Sequence, residues 1–261
     1  MKRILAMILA LVMVLALAAC GGKSESGGDV DYVKGKGTLT VGITDFEPMD
    51  YRDAGGEWIG FDADMARAFA KSLGVEAEFI EITWDNKHME LETKAIDAVW
   101  NGMTLTDDVK TLMGTGNAYC KNAQVVVCSS AVADQYMTAD SLGNLSFSVE
   151  NGSAGMEALD ALGIAYTAVD TQAKALMEVA SGSTDACVID LLMAGAMIGA
   201  GTSYPDLATA AELESEEYGV GFRKESDLIQ AYNDFLKSAY DDGTVMSLAE
   251  TYGIAKNIIA Q

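Results

Sequence analysis

Apolar and β-branched positions alternate with polar ones between residues 38 and 44, a pattern that predicts a β-strand. From 61 to 73 apolar residues recur with helical spacing, with Asp62 as the predicted N-cap and Gly74 as the residue that ends the helix. Three further elements follow: a strand from 77 to 82, a short helix near 86 to 92, and an apolar strand that reaches Trp100. This β-α-β-α-β order is typical of an α/β fold.

The second half of the chain repeats this order. Its predicted strands are NLSFSVE, IAYTAV and DACVID, and its predicted helices are SAGMEALDAL, TQAKALMEVAS and LLMAGAMIGA. A fixed offset places Asp97-Ala98 over Asp185-Ala186, each at the start of a buried strand. The repetition predicts two α/β lobes of similar construction.

Two predicted strands, the β-branched run 122–128 and the segment 217–223, are expected to cross between the lobes. Two amphipathic helices, 227–240 and 245–252, follow the second strand. The predicted organisation is therefore lobe 1 at 38–123 and 217–261, and lobe 2 at 124–216. Open α/β sheets bind ligands at the carboxyl ends of their strands, so two such lobes form a cleft that closes by a hinge motion.

The amino-terminal segment is typical of an export signal. Lys2 and Arg3 precede an almost wholly apolar run, which ends in Leu-Ala-Ala-Cys-Gly at Cys20. This ending resembles a bacterial lipobox, which implies a signal peptide at 1–19 and a lipid on Cys20; an ordinary signal peptide or an anchor helix is the alternative. Residues 20–37, rich in glycine, serine and charge, are predicted to be a flexible tether.

The net charge of −22 argues against binding to nucleic acid or to anionic lipid headgroups. No metal and no cofactor are predicted, because His88 is the single histidine and no carboxylate cluster has calcium-loop spacing. The cysteines after Cys20 are Cys120, Cys128 and Cys187. A bridge between Cys120 and Cys128 is left open by the spacing, and buried thiols are the alternative.

The stretch AVWNGMTLTDDVK, from 98 to 110, places small hydroxyl residues just beyond an apolar strand. Thr104 and Thr106 are potential hydrogen-bond donors to a polar ligand, and Thr106 is also the predicted N-cap of the next helix. Lys110 is the one cation in this stretch.

Several segments, in order along nearly all of 38–252, resemble the family 3 solute-binding proteins of ABC importers, which bind polar amino acids. They are LTVGITDFEPMDYRDAGGEWIGFDADMARAFAKSLG, AIDAVWNGMTLTDD, VENGSAG, STDACVID and EYGVGFRK. The resemblance implies a two-lobe periplasmic-binding fold of type II, with two crossing strands and the ligand cleft between the lobes. It also implies capture of a small solute and its delivery to a membrane permease and ATPase.

The resemblance assigns site residues by position. Phe46 and Trp84 match two aromatic residues around the ligand side chain, and Asp190 matches the acid that pairs with an α-ammonium group. Gly102 and Thr104 match a Gly-x-Thr that hydrogen-bonds the ligand, and the turn at Ser153 offers free amides at a helix start. The predicted ligand-binding residues are Phe46, Trp84, Asn101, Gly102, Thr104, Ser153, Ala154 and Asp190.

One position departs from the family pattern. Val109 stands where these proteins carry an arginine that forks onto the ligand carboxylate, and Lys110 is next to it. Two alternatives follow: a carboxylate is held by Thr104, the amides near Ser153 and a shifted Lys110, or the ligand is not a standard α-amino acid. Three acids near the cleft mouth would favour a cationic ligand or are merely solvated: Asp45, Glu47 and Asp50.

The predicted function is a lipid-anchored extracytoplasmic receptor that delivers an amino acid or amino-acid-like solute to an ABC permease and its ATPase. A cyclohexadienyl-dehydratase-like enzyme and a ligand-sensing lobe are the alternatives on the same scaffold. No catalytic residue is predicted, because no nucleophile–base pair is visible and the arginine that would bind an anionic substrate is missing.

Overall fold

The computed structural model describes residues 28–261. A mixed nine-stranded sheet runs through both lobes in the order β4-β1-β5-β11-β7-β10-β8-β9, with β6 paired to β11, while β2 and β3 form a separate ribbon. The strands are β1 Thr38–Ile43, β2 Tyr51–Arg52, β3 Trp58–Ile59, β4 Glu76–Glu81, β5 Ala98–Thr104, β6 Gly114–Thr115, β7 Cys120–Ser129, β8 Phe147–Glu150, β9 Tyr166–Val169, β10 Ala186–Asp190 and β11 Leu207–Phe222. The α/β, two-lobe fold expected from the sequence is confirmed.

Helices cover the sheet and follow the strands in the predicted alternation. They are α1 Asp29–Lys36, α2 Phe61–Leu73, α3 Lys87–Glu92, α4 Asp107–Leu112, α5 Ala154–Leu162, α6 Gln172–Ser181, α7 Leu191–Met197, α8 Leu228–Asp241 and α9 Thr244–Thr251. Within 28–261, none of them is long and apolar enough to cross a bilayer.

Strands β7 and β11 carry the chain between the lobes. They pair antiparallel from Leu207 opposite Ser129 to Tyr218 opposite Cys120. Beyond this ladder β11 pairs with β5, and β7 pairs with β10. The predicted lobe boundaries, 123/124 and 216/217, fall beside each other on these two strands. The sequence predicted only the last part of β11, because its first part consists mainly of alanine and glutamate, which are depleted in strands.

The segment 29–36, predicted to belong to the flexible tether, is helix α1, so the tether prediction is wrong for these residues. Val33 is fully buried, the Val30 amide donates to Asp227 at 2.9 Å, and Asp29 pairs with Arg223 at 2.9 Å. The apolar contact and the ion pair fasten α1 to lobe 1. The predicted signal peptide at 1–19 and the predicted lipidation at Cys20 lie outside the described residues.

The three described cysteines are buried free thiols. Cys120 and Cys128 lie at opposite ends of the same strand, so at about 3.3 Å per residue they are too far apart for a disulfide. Burial raises the pKa of the Cys128 and Cys187 thiols, which keeps them in the neutral form. The alternative of buried thiols is therefore the one that the structure supports.

Asp62 is not the N-cap of α2, because the helix begins at Phe61 and Gly60 precedes it with a positive φ of 128°. A side chain on Gly60 would collide with the Met49 carbonyl oxygen, which lies 2.1 Å from the ideal Cβ position. Asp62 instead lies fully buried, and its Oδ2 accepts hydrogen bonds from the Gly102 amide at 2.6 Å and the Tyr119 hydroxyl at 2.7 Å. It thus joins α2 to the end of β5.

Burial raises the pKa of Asp62 from 3.8 to about 7, and its Oδ1 has no hydrogen-bond partner among the described residues. The folded protein therefore holds this proton at pH values where the unfolded chain has released it. The stabilisation from Asp62 is complete below pH 3.8 and is lost as the pH rises towards 7.

We expect Asp62→Asn to reduce the loss of thermal stability between pH 5 and pH 7.5, because the amide accepts the same two hydrogen bonds and does not ionise. Unfolding midpoints of the wild type and the variant across this range provide the measurement. Asp108→Asn, at an exposed position of α4, controls for the change in net charge. Parallel pH curves for the wild type and Asp62→Asn would contradict the assignment.

Candidate functional site

A cavity lies between the lobes at the carboxyl ends of β1, β5, β8 and β10, where the fold predicts ligand binding. Its empty space is about 460 Å³, with open solvent at the mouth included. It brings together every predicted ligand-binding residue: Phe46, Trp84, Asn101, Gly102, Thr104, Ser153, Ala154 and Asp190. The most polar lining residues that the sequence analysis missed are Thr44, Lys87, Gln124, Glu150, Glu157 and Gln172.

Phe46 and Gly102 form a close contact in the lobe 1 wall. Gly102 has a φ of +55°, and a Cβ there would lie 2.4 Å from Phe46 Cε1. Phe46 also meets the ring of Tyr218 edge to face, with centroids 6.3 Å apart. Gly102 is required both for its backbone conformation and for the room that the aromatic ring needs.

The side chain of Asn101 is occupied inside lobe 1. Its Oδ1 accepts from the Thr44 amide at 3.0 Å and the Thr44 hydroxyl at 2.7 Å, and its Nδ2 donates to Asp50 Oδ2 at 2.8 Å. The Gly102 amide is likewise used by Asp62. Both residues therefore fix the end of β5 and have fewer groups to offer a ligand than the resemblance implied. The Thr104 hydroxyl makes no hydrogen bond within 28–261 and remains available.

Trp84 begins a 3₁₀ turn, Trp84–Asn86, that leads directly into α3. Lys87 Nζ lies 4.7 Å from the centre of the Trp84 ring, a cation–π geometry. The same ammonium donates to the carbonyl oxygen of Gly152, in lobe 2, at 2.9 Å. Lys87 therefore joins the two lobes across the cavity. Burial lowers the pKa of Lys87, while the nearby Glu150 and Asp85 oppose this shift.

Val109 lines the cavity where the resemblance places an arginine. Its amide donates to Thr106 Oγ1 at 3.2 Å, so the prediction that Thr106 caps α4 is confirmed. Lys110 is exposed and lines a neighbouring groove beside Asp107 and Glu217. The hypothesis of a shifted Lys110 in the cavity therefore finds no support, and among the described residues Lys87 is the cation that lines it.

Ser153 and Ala154 form the start of α5 in the lobe 2 wall. Ser153 is the N-cap, with its Oγ accepting from the Met156 amide at 3.1 Å. The first amides of a helix have no acceptor within it, and those of α5 begin at the cavity wall. Gly152 precedes them with a φ of +71°, and a Cβ there would lie 2.9 Å from Asp85 Cα in lobe 1. The glycine permits close approach of the lobes.

Asp190 is held by three side-chain amides at the end of β10. Its Oδ1 accepts from Asn122 Nδ2 at 2.5 Å and from Gln124 Nε2 at 2.7 Å, and its Oδ2 accepts from Gln172 Nε2. Burial raises the pKa of Asp190, and the hydrogen bonds to its carboxylate oppose that shift. Because a carboxylate oxygen has two acceptor positions, Oδ2 can take one further donor.

The amides of Asn122 and Gln124 also reach Glu216 on β11, donating to its Oε1 at 2.5 and 2.9 Å. Burial, followed by the nearby Asp190 charge, raises the pKa of Glu216 to about 9. Glu216 is therefore neutral at pH 7. Asp190 and Glu216 together carry at most one negative charge.

The three acids predicted near the cleft mouth have different positions. Asp45 lines the cavity, Glu47 lies in an adjacent groove beside Arg52, and Asp50 is fully buried against Asn101. Four carboxyl groups and one cation line the cavity among the described residues: Asp45, Glu150, Glu157 and Asp190, with Lys87. The cavity is thus better suited to a ligand with positive groups than to an anion.

The family model for bacterial extracellular solute-binding proteins, family 3, matches residues 39–255. The chain belongs to this family. The L-cystine-binding protein TcyJ of Escherichia coli (strain K12) is 29% identical over 251 residues, which cover 93% of this chain and 94% of that protein. Relatives of this kind are amino acid-binding proteins, and the family match confirms the resemblance expected from the sequence.

Solved structures agree with the family. A mutant of ArgBP from T. maritima superposes with a TM-score of 0.79 at 31% identity, over 86% of this chain and 98% of that one. The ancestral amino acid-binding protein AncCDT-1, a precursor of cyclohexadienyl dehydratase, gives a TM-score of 0.78 at 29% identity, over 86% and 99% of the two chains.

We expect Gly102→Ala to lower the free energy of unfolding by about 3 kcal/mol, since the methyl group adds a collision with Phe46 to an unfavourable φ. Gly74→Ala is the matched control, because Gly74 also has a positive φ but no atom lies within 4 Å of its ideal Cβ position. That control should cost only about 1 kcal/mol. Urea unfolding measures both, and equal losses would show that the Phe46 contact is unimportant.

Proposed function

We propose that this chain is a lipid-anchored extracytoplasmic receptor that captures an amino acid or amino-acid-like solute and delivers it to an ABC permease and its ATPase. The observation that carries the proposal is Asp190, a buried carboxylate at the cavity wall. Three amides orient it, and Oδ2 retains an acceptor position for a ligand ammonium. A preorganised acceptor of this kind loses little entropy when a charged donor binds.

The rest of the cavity supplies partners for the other ligand groups. The free Thr104 hydroxyl, the first amides of α5 and the Lys87 ammonium are the donors available to a carboxylate. Lys87 is a point charge without the planar fork of arginine. We therefore infer that a carboxylate, where the ligand has one, is held by dispersed donors.

Attachment to the membrane is the second part of the proposal. The Leu-Ala-Ala-Cys ending at Cys20 supports cleavage before this cysteine and its lipidation. Such an anchor would keep the receptor beside its permease.

We infer that the chain binds its solute without transforming it. An enzyme that acts on an anionic cyclic acid needs cationic groups to bind its substrate, as well as a general acid. The cavity offers Lys87 alone against four carboxyl groups among the described residues that line it. This balance favours a receptor over the dehydratase-like alternative.

A thermal-shift screen with the twenty amino acids, ornithine, polyamines and small peptides tests the proposal. A ligand at about a hundred times its dissociation constant stabilises the fold by roughly 2.7 kcal/mol, which is a readily measured shift. We expect Asp190→Ala to weaken binding of the best ligand by about tenfold or more, because a desolvated ammonium loses its partner. Asp190→Asn tests the charge alone, and Asp140→Ala, at an exposed lobe 2 position, is the control. Unchanged affinity in both Asp190 variants would remove this residue from the site.

We expect Val109→Arg to strengthen binding of neutral α-amino acids, because a guanidinium at this wall can bind a carboxylate through two parallel hydrogen bonds. Lys110→Arg is the matched control, since that side chain lies in the neighbouring groove. Titration of both variants with a neutral amino acid provides the measurement. No gain from Val109→Arg would mean that the cavity does not place a carboxylate near position 109.

A further inference from the structure

Glu150 is the last residue of β8 and lies in the lobe 2 wall of the cavity. The residue is 3% exposed, and its Oε1 is buried without a hydrogen-bond partner among the described residues. An unsatisfied carboxyl oxygen in a dry site is costly unless a donor or a cation meets it. A positively charged or hydrogen-bond-donating group of the ligand would offset this cost.

The nearest protein groups do not fill that role. Lys87 is close enough to Glu150 to oppose the rise in its pKa, yet the two form no ion pair within the described part of the chain. Its ammonium donates instead to the Gly152 carbonyl oxygen and lies over the Trp84 ring. Gln172 donates to Asp190 Oδ2 and also favours the Glu150 carboxylate through a hydrogen bond, yet Oε1 of Glu150 still has no partner among the described residues.

The protonation state of Glu150 is consistent with a carboxyl oxygen, Oε1, that no donor meets. Burial raises the pKa of Glu150 to about 8, against the opposing Lys87 charge and the Gln172 amide. Without ligand the carboxyl group is therefore mostly neutral at pH 7. A cation brought to Oε1 would favour the carboxylate, so its binding would release a proton.

Asp190 is a separate carboxylate, held by its own amides at the end of the neighbouring strand β10. The charges of the two groups repel, since Glu150 contributes to the raised pKa of Asp190. Two acids this close on one wall are best compensated by two positive groups. With an apolar side chain at Val109, no arginine among residues 28–261 lines the cavity to supply either of them.

We propose that Glu150 binds a second cationic nitrogen of the ligand, so that the cleft selects solutes with two cationic nitrogens, such as a basic amino acid or a diamine. This inference rests on the proposed receptor function, in which Asp190 takes the first nitrogen. Glu150 then determines specificity within the cleft, whereas Asp190 serves any solute with an ammonium group.

The test is calorimetric titration of the wild type and Glu150→Gln with L-ornithine, 1,4-diaminobutane and L-glutamine at pH 7. We expect Glu150→Gln to bind the two dicationic solutes about tenfold or more weakly, and glutamine within about twofold of the wild type. Glu212→Gln makes the same change in net charge at an exposed position of lobe 2 and should leave all three affinities unchanged. Unfolding midpoints verify that each variant is folded.

A second readout separates direct contact from a general effect on the fold. In buffers of different ionisation enthalpy, wild-type binding of ornithine should release a proton, and Glu150→Gln should release a smaller fraction of one. Equal affinity and equal proton release in the two proteins would overturn the inference. Binding of 1,4-diaminobutane would further show that no carboxylate is required.

The same titrations distinguish this inference from the receptor function. A wild-type chain that binds neither ornithine nor 1,4-diaminobutane overturns the role of Glu150. If that chain still binds glutamine or another amino acid from the thermal-shift panel, the receptor function stands. If it binds no amino acid at all, both are contradicted.

Discussion

The antiparallel pairing of β7 with β11 is the interaction on which both lobes depend. The pair joins β5 on the lobe 1 side to β10 on the lobe 2 side, so one hydrogen-bonded sheet continues through the molecule. Asn122 and Gln124 project from β7 between Asp190 and Glu216 and donate to both. The strands that connect the lobes therefore also fix the acid that we assign to ligand binding. Any relative movement of the lobes must preserve or rearrange this network.

The charged groups that line the cavity determine which ligands it favours. A protein with a net charge of −22 repels anions at long range, and its cavity repeats that preference with four carboxyl groups around Lys87. Burial makes these acids costly to ionise, and Glu150, whose pKa is raised to about 8, holds a proton at pH 7 that a cationic solute could displace. The unusual Val109 and the unpartnered Glu150 oxygen are then parts of one arrangement. Val109 brings no positive charge to the cavity wall, and Glu150 leaves an acceptor oxygen free for a cation of the ligand.

Contacts across the cleft show how closely the lobes approach. Lys87 donates to the Gly152 carbonyl oxygen, and the Thr106 hydroxyl lies 3.3 Å from Glu157 Oε1. Gly152 makes the first contact possible, because any side chain there would meet Asp85. Asn101 is oriented by hydrogen bonds within lobe 1, and Asp190 by two amides of lobe 2 together with Asn122 on the crossing strand β7. Lys87 contacts Trp84 in lobe 1 and Gly152 in lobe 2. Lys87 therefore links closure of the lobes to recognition of the ligand.

The sequence by itself determined the α/β order, the two crossing strands and the segments that line the cleft, because hydrophobic periodicity and strand ends are local features. The family resemblance located Phe46, Trp84 and Asp190 at the cavity. Only the tertiary structure decided that Asp62 is buried, that α1 is folded, and that Asn101 and the Gly102 amide are already hydrogen-bonded. Lys87 and Glu150 were also beyond sequence reasoning. A charged residue in a short helix or at a strand end has the same local pattern whether it meets water or a buried cavity, and its partners come from distant parts of the chain.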